Sequence, residues 1–211
     1  MQIQDCAKTQ LPAISDAMLM QQTLGGDEHA FETLVQRYSA TLFNFICRFL
    51  GDYDQASDIL QQVFVQLYVS LSNLHTNKPL KAWLFQVARN RCLDELRRKH
   101  THAIHFSELE ATTGEDELSL LAAIADTLPL PEEVAERHDL QACLQQAIQE
   151  LPPKYRSVVL LRYVSQLSYA EIGQALQMPE ATAKTYFQRA KPLLRATLSS
   201  LLQVETPRRS A

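Results

Sequence analysis

The sequence predicts an all-α protein built from two small helical domains joined by a flexible acidic linker. Three observations carry that expectation. Apolar residues recur at spacings of three and four on both sides of the chain's middle, which is the helical period and not the strand period. Only 5 of the 211 residues are Gly, and alternating apolar–polar runs are scarce, so a β-rich fold is disfavoured. Charge is segregated as well. The formal net charge is −4, yet residues 1–80 carry −4, 81–100 carry +4, 101–150 carry −10 and 151–211 carry +6. Two basic blocks about a hundred residues apart are the electrostatic footprint of contact with a polyanion.

The first 24 residues show little periodicity and are left unassigned. From Asp27 onward, Phe31, Leu34, Val35, Tyr38, Leu42, Phe45, Ile46 and Phe49 fall on one helical stripe. Gly51 is placed to end that helix in a left-handed cap, and Asp52 with Gln55 resembles a capping box for the next helix. There Leu60, Val63, Phe64, Leu67, Leu71 and Leu74 form the stripe. SNLHTNKP reads as a loop, and Pro79 as the start of a third helix that runs to about His100. Residues 102–131 lose the pattern, are acidic and contain Gly114, Pro129 and Pro131, so they read as a linker. Helical spacing returns from Glu132, breaks at Pro152–Pro153, and resumes in YRSVVLLRYV. The expected organisation is an N-terminal segment 1–24, a domain 25–101, the linker 102–131, a second domain 132–203 and a tail 204–211.

Residues 168–191, SYAEIGQALQMPEATAKTYFQRAK, read as a helix-turn-helix. Ser168 and Glu171 make a capping box, Ile172 and Leu176 face inward, and Gly173 is small where the second helix packs closely. Met178, Ala183 and Tyr186 fall at interior positions. Pro179 and Glu180 suit the first turn of the second helix. Gln177 occupies the turn, where a left-handed residue other than Gly costs about 1 kcal/mol. Thr182, Lys184, Thr185, Gln188 and Arg189 are left on the outward face, with side chains that bond base edges or phosphates in a major groove. Pro192 is expected to kink or stop this helix.

The third helix, LKAWLFQVARNRCLDELRRKH, changes character along one face. Leu80, Leu84 and Val87 give way to Arg91, Asp94 and Arg98, widened by Arg89, Arg97 and Lys99. Trp83 is read as a core aromatic, and Tyr53, Tyr68 and Phe85 as equally suited to the core.

These segments carry a resemblance. LGDYDQASDILQQVFVQLYVSL with LKAWLFQVARNRCLDELRRKH resembles the second conserved region of bacterial sigma factors. LPPKYRSVVLLRYVSQLSYAEIGQALQMPEATAKTYFQRAK resembles the fourth. Two regions in a short chain are similar to the extracytoplasmic-function (ECF) group of the sigma-70 family, over about 150 residues.

The resemblance implies a sigma factor that binds core RNA polymerase and directs promoter-specific initiation. By motif position, the polymerase contact falls on Asp54, Asp58, Ile59, Gln61, Gln62, Phe64 and Gln66. Capture of the single-stranded −10 element falls on His75, Thr76, Asn77, Lys78, Arg89, Asn90, Arg91, Asp94, Arg97 and Arg98. The outward face of the helix-turn-helix would read duplex −35 DNA. An anti-sigma factor is implied as a further partner. The chain departs from the family pattern at Gln62, where a glutamate is common, and at Ala183 and Phe187 in the reading helix; Pro192 is also atypical.

Other classes fit less well. A sigma-like decoy that binds an anti-sigma factor without DNA predicts eroded basic residues, whereas RRK, Lys184 and Arg189 remain. A stand-alone helix-turn-helix regulator usually needs its own dimerisation surface, and no heptad pattern is present. No P-loop, nucleophile elbow or HExxH motif points to an enzyme. No cofactor or metal is expected: His100, His102 and His105 sit on an expected loop without the remaining ligands of a site. Cys6, Cys47, Cys92 and Cys143 form no CxxC pair and suit reduced thiols. No run approaches the ~18 apolar residues of a membrane span, and no secretory signal pattern opens the chain, so a cytoplasmic location is expected.

Overall fold

A computed structural model describes residues 14–74, 79–105 and 131–205. Every regular element among them is helical: α1 (Asp16–Leu24), α2 (Glu28–Leu50), α3 (Tyr53–Ser70) with a single 3₁₀ turn at Leu71–Asn73, α4 (Leu80–His105), α5 (Pro131–Glu150), α6 (Pro153–Tyr163), α7 (Tyr169–Leu176) and α8 (Glu180–Glu205). None of the described helices is long and apolar enough to cross a membrane.

The caps explain why the helices start and stop where they do. The Asp27 carboxylate accepts from the His29 and Ala30 amides and opens α2. Gly51 closes it with φ 76°, and its amide donates to the Cys47 carbonyl. Asp52 accepts from the Gln55 amide at 3.0 Å, and the Gln55 side chain returns a 2.6 Å bond to the same carboxylate. The return bond therefore goes to the side chain and not to the Asp52 amide, so the capping box is only half formed.

The sequence missed α1. It is short and weakly patterned, and buries only Leu19. Tertiary contacts hold it: Asp16 takes Arg37 Nη1 at 2.5 Å and the Tyr38 hydroxyl, while Arg37 also donates to the Ile14 carbonyl at 2.8 Å.

In the first half, α2 is the central strut against which α1, α3 and α4 pack. Leu34, Leu42, Phe45, Ile46 and Phe49 meet Val63, Leu67, Leu84 and Phe85, all wholly buried, and Phe45 contacts Phe85 edge-on at 5.4 Å. Of the aromatics read as equally suited to the core, Phe85 is inside, whereas Tyr53 and Tyr68 are 51% and 63% exposed. Both instead lie edge-on against neighbours at the surface, Tyr53 on Phe43 and Tyr68 on Phe31. Trp83 is half-buried against the core.

One expectation about a helix end is corrected and another narrowed. α4 does not stop at about His100 but continues to His105, so His100, His102 and His105 lie on its last turns and not on a loop. Their side chains lie outside the described residues. Of the kink or stop expected at Pro192, the stop does not occur: α8 continues to Glu205 with the proline inside. The missing amide forfeits one bond, and flanking packing by buried Phe187 and Ala190 and by half-buried Leu194 holds the helix through it.

The second half does not stand apart from the first. α5 and α6 pack on α2, and α7 packs along α4, so buried residues of both halves form one continuous apolar cluster. The sequence leaves the relative placement of the two domains open, because this contact is made by residues whose stripes serve their own half equally well.

Candidate functional site

The C-terminal reading element is the α7–turn–α8 unit. Ser168 accepts from the Glu171 amide, and the Glu171 carboxylate takes the Ser168 amide and hydroxyl, both at 2.7 Å. These bonds to Ser168, of side chain first and backbone second, hold the Glu171 carboxyl below its ordinary range, with Lys81 adding a smaller favourable field. Gln177 turns the chain in the left-handed region at φ 54°, ψ 46°, as its place in the turn requires. Gly173 is buried, and a Cβ there would lie 2.7 Å from the Met178 carbonyl, so its smallness sets how closely the turn crosses α7.

On α8 the interior residues are Ala183, Phe187 and Ala190, with Tyr186 and Met178 half-buried. The sequence missed Phe187, which is more buried than Tyr186. Tyr169 meets its ring edge-on and Tyr163 meets it tilted, and Lys191 Nζ lies over it at 4.9 Å. Lys184, Thr185, Gln188 and Arg189 are exposed on the opposite face, and Thr182 is half-buried at its edge. The Thr185 hydroxyl donates to the Ala181 carbonyl at 2.8 Å, which presents its oxygen lone pairs and methyl outward.

The N-terminal basic surface is the C-terminal half of α4. Asn90, Arg91, Asp94, Arg97 and Arg98 are exposed. Arg97 pairs with Asp94 at 3.0 Å, Arg98 with Glu95 at 2.9 Å, and Lys99 with Asp52 at 3.6 Å. These are surface pairs of small net worth, easily exchanged for phosphate. Arg89 differs: it is half-buried, donates to Asn90 Oδ1 at 3.2 Å, and its Nε is buried without a partner. Burial, and next the Arg97 charge, hold its pKa below the ordinary guanidinium value. His75, Thr76, Asn77 and Lys78 lie outside the described residues.

On α3, Asp54, Asp58, Gln61 and Gln62 are exposed and Gln66 is half-buried. Ile59 and Phe64, at 4% and 9% exposure, are buried and pack α3 into the core. Sequence pattern contained the signal, since Phe64 already belongs to the inward stripe. Val65 and Val69 are 63% and 66% exposed and missing from that expected set. With Asp58, Gln61, Gln62 and Gln66 they line an open depression whose far side is Arg91 of α4. The residues expected to meet polymerase and those expected to meet the −10 element therefore adjoin at one place.

Two helical halves, each presenting an exposed basic helix, have the outline of a class: a two-headed reader of nucleic acid. Comparison with known proteins gives the family. Residues 34–101 match the family model for sigma-70 region 2, and residues 141–194 that for sigma-70 region 4. The chain is 33% identical over 182 residues to the ECF RNA polymerase sigma factor SigW of Bacillus subtilis, covering 86% of this chain and 96% of SigW. It is 28% identical to the RNA polymerase sigma-H factor of Pseudomonas aeruginosa, covering 89% and 96% respectively. Among solved structures, CnrH in complex with the cytosolic domain of CnrY shares the fold, with a TM-score of 0.61, 22% identity and coverage of 90% and 98%. The sigma factor RpoE bound to the anti-sigma factor NepR from Bartonella quintana does so too, with a TM-score of 0.61, 20% identity and coverage of 83% and 98%. The chain belongs to the sigma-70 family, in its ECF group.

Proposed function

We propose that this sigma factor divides the work of promoter-directed initiation among three surfaces. α3 docks on core RNA polymerase through Asp54, Asp58, Gln61, Gln62 and Gln66, with Val65 and Val69 supplying the apolar part of the contact. The basic end of α4 receives the single-stranded −10 element: Arg91, Arg97 and Arg98 meet phosphates, and Asn90 and Asp94 offer polar contacts to bases. α8 enters the major groove of the −35 element with Lys184, Thr185, Gln188 and Arg189. Bringing the two readers together on polymerase multiplies two weak affinities through effective concentration. The chain acts in the cytoplasm, where polymerase and promoter meet, and an anti-sigma factor that covers these faces is the natural inhibitor.

The observation that supports this reading best is the exposure of both basic faces on opposite halves of an otherwise acidic chain. In transcription with core polymerase and a promoter library, the chain is expected to yield promoter-dependent transcripts. Arg97→Ala with Arg98→Ala weakens −10 engagement and flattens its salt dependence. Lys184→Ala or Arg189→Ala acts only on promoters that depend on the −35 element, at about 1–3 kcal/mol for a lost bidentate base contact. Asp58→Lys lowers polymerase binding. Transcription from all promoters unchanged by these substitutions overturns the assignments.

A further inference from the structure

The last carbonyls of a helix have no partner within it. At the end of α2 the Cys47 carbonyl is taken by the Gly51 amide, but the next two are taken by the other half of the molecule. Gln145 Nε2 of α5 donates to the Arg48 carbonyl at 3.1 Å, and Arg156 Nη1 of α6 donates to the Phe49 carbonyl at 2.8 Å. Arg156 is only 7% exposed. Its other terminal nitrogen donates to the Gln149 carbonyl and, at 3.2 Å, to the Leu151 carbonyl, at the end of α5. One guanidinium thus ties the negative ends of two helices that belong to different halves, with its Cζ 5.4 Å from the Phe49 ring centre. The Gln149 side chain lies against Gly51, close to where a Cβ would stand, so the end of α2 and the end of α5 touch here as well.

The arrangement has a consequence for the reading proposed above, on which this inference rests. Elements named for positions −35 and −10 lie some 25 base pairs apart, roughly 85 Å at about 3.4 Å per base pair. A compact chain of 211 residues has a radius of gyration of about 17 Å, hence a diameter of roughly 45 Å. With α7 packed along α4, the two readers belong to one such body and cannot reach both elements. Residues 106–130 are enough chain to span on the order of 80 Å at about 3.3 Å each once the halves part.

We propose that Gln145 and Arg156 form an intramolecular latch on the C-terminal end of α2, which holds the free chain in a closed form unable to engage both promoter elements. Release exposes the Arg48 and Phe49 carbonyls to water, while Arg156 keeps its bonds to α5. The second half therefore stays capped, and opening is reversible.

Gln145 lies outside every surface assigned above, and its charge variants separate the outcomes. Gln145→Glu sets a carboxylate against a carbonyl at the negative end of α2, so it is expected to shift the open-to-closed ratio by about tenfold or more. Gln145→Lys retains a donor and adds a favourable charge, so it keeps the chain closed. Small-angle scattering of the full chain without polymerase is expected to give one compact radius for the parent and Gln145→Lys and a larger one for Gln145→Glu. The Glu variant is also expected to bind a duplex carrying both elements more tightly than the parent without polymerase. Equal radii for all three chains, or an extended parent, overturn the latch. Transcription with core polymerase tests the underlying reading separately. Scattering that follows the prediction without transcripts from any variant leaves the closed form standing and removes the promoter function. Transcripts from all three with equal radii do the reverse.

Discussion

Gln177 is the residue at which the reading element is under most local strain. Its φ of 54° is one that residues other than Gly adopt at a cost of about 1 kcal/mol. Gln177→Gly is therefore expected to raise stability by up to about 1 kcal/mol, less the entropy that Gly returns to the unfolded chain. A urea titration checks it. Four residues earlier the opposite holds. Gly173→Ala places a methyl 2.7 Å from the Met178 backbone oxygen, a contact that only displacement of the turn relieves. Overpacking of this kind costs about 1–3 kcal/mol, and −35-dependent transcription should fall with it. Both positions were legible in the sequence, since a turn and a close crossing leave a recognisable pattern of small and polar residues. Tyr53 and Tyr68 were not. Nothing local tells an inward aromatic from one that lies edge-on over a neighbour at the surface.

At the scale of the element, α7 is eight residues long and depends on its cap. Ser168→Ala removes the side chain that bonds the Glu171 amide, and is expected to cost about 0.5–2 kcal/mol. The cap also has a pH signature. The Glu171 carboxyl is held below its ordinary value by bonds from Ser168, so its contribution is complete above the unfolded carboxylate pKa of about 4.3. It is lost as pH falls through the lower folded value. The protection of the α7 amides, taken relative to their intrinsic exchange rate at each pH, is expected to fall over that acid range in the parent and to depend less on pH in Glu171→Gln. Capping residues made α2, α3 and α7 readable with good boundaries. α1 escaped because its stability comes from Asp16 reaching Arg37 and Tyr38 some twenty residues away, a relation without a local period. The run of α8 through Pro192 escaped for a similar reason: the propensity of one residue was outweighed by the packing of its neighbours.

For the whole molecule, a shared core means shared unfolding. Trp83, the only tryptophan, sits in the first half, whereas helical circular dichroism reports on both halves. The two signals are expected to coincide in a denaturant titration of the parent and to separate in Gln145→Glu, where the halves no longer support each other. Coincident curves in both would mean that the contact between halves survives the charge. The charge map foretold two positively charged faces, and the quoted motifs foretold the family. It could not foretell that the faces would be held in one body, because that depends on a few side chains of one half closing the carbonyls of the other. Arg156 lay in a segment quoted for its family likeness, with no sign that its guanidinium would be buried.

Arg91 shares its depression with Asp58, Gln61 and Gln62. Under the proposed division of surfaces, a partner seated on α3 would alter the field around Arg91, the α4 cation nearest that groove. Polymerase arrival and strand capture would then be neighbouring events on the surface of one bundle, with no long relay between them. A change at Gln62 should accordingly be felt in the rate at which the bubble is trapped as well as in how firmly the enzyme is held.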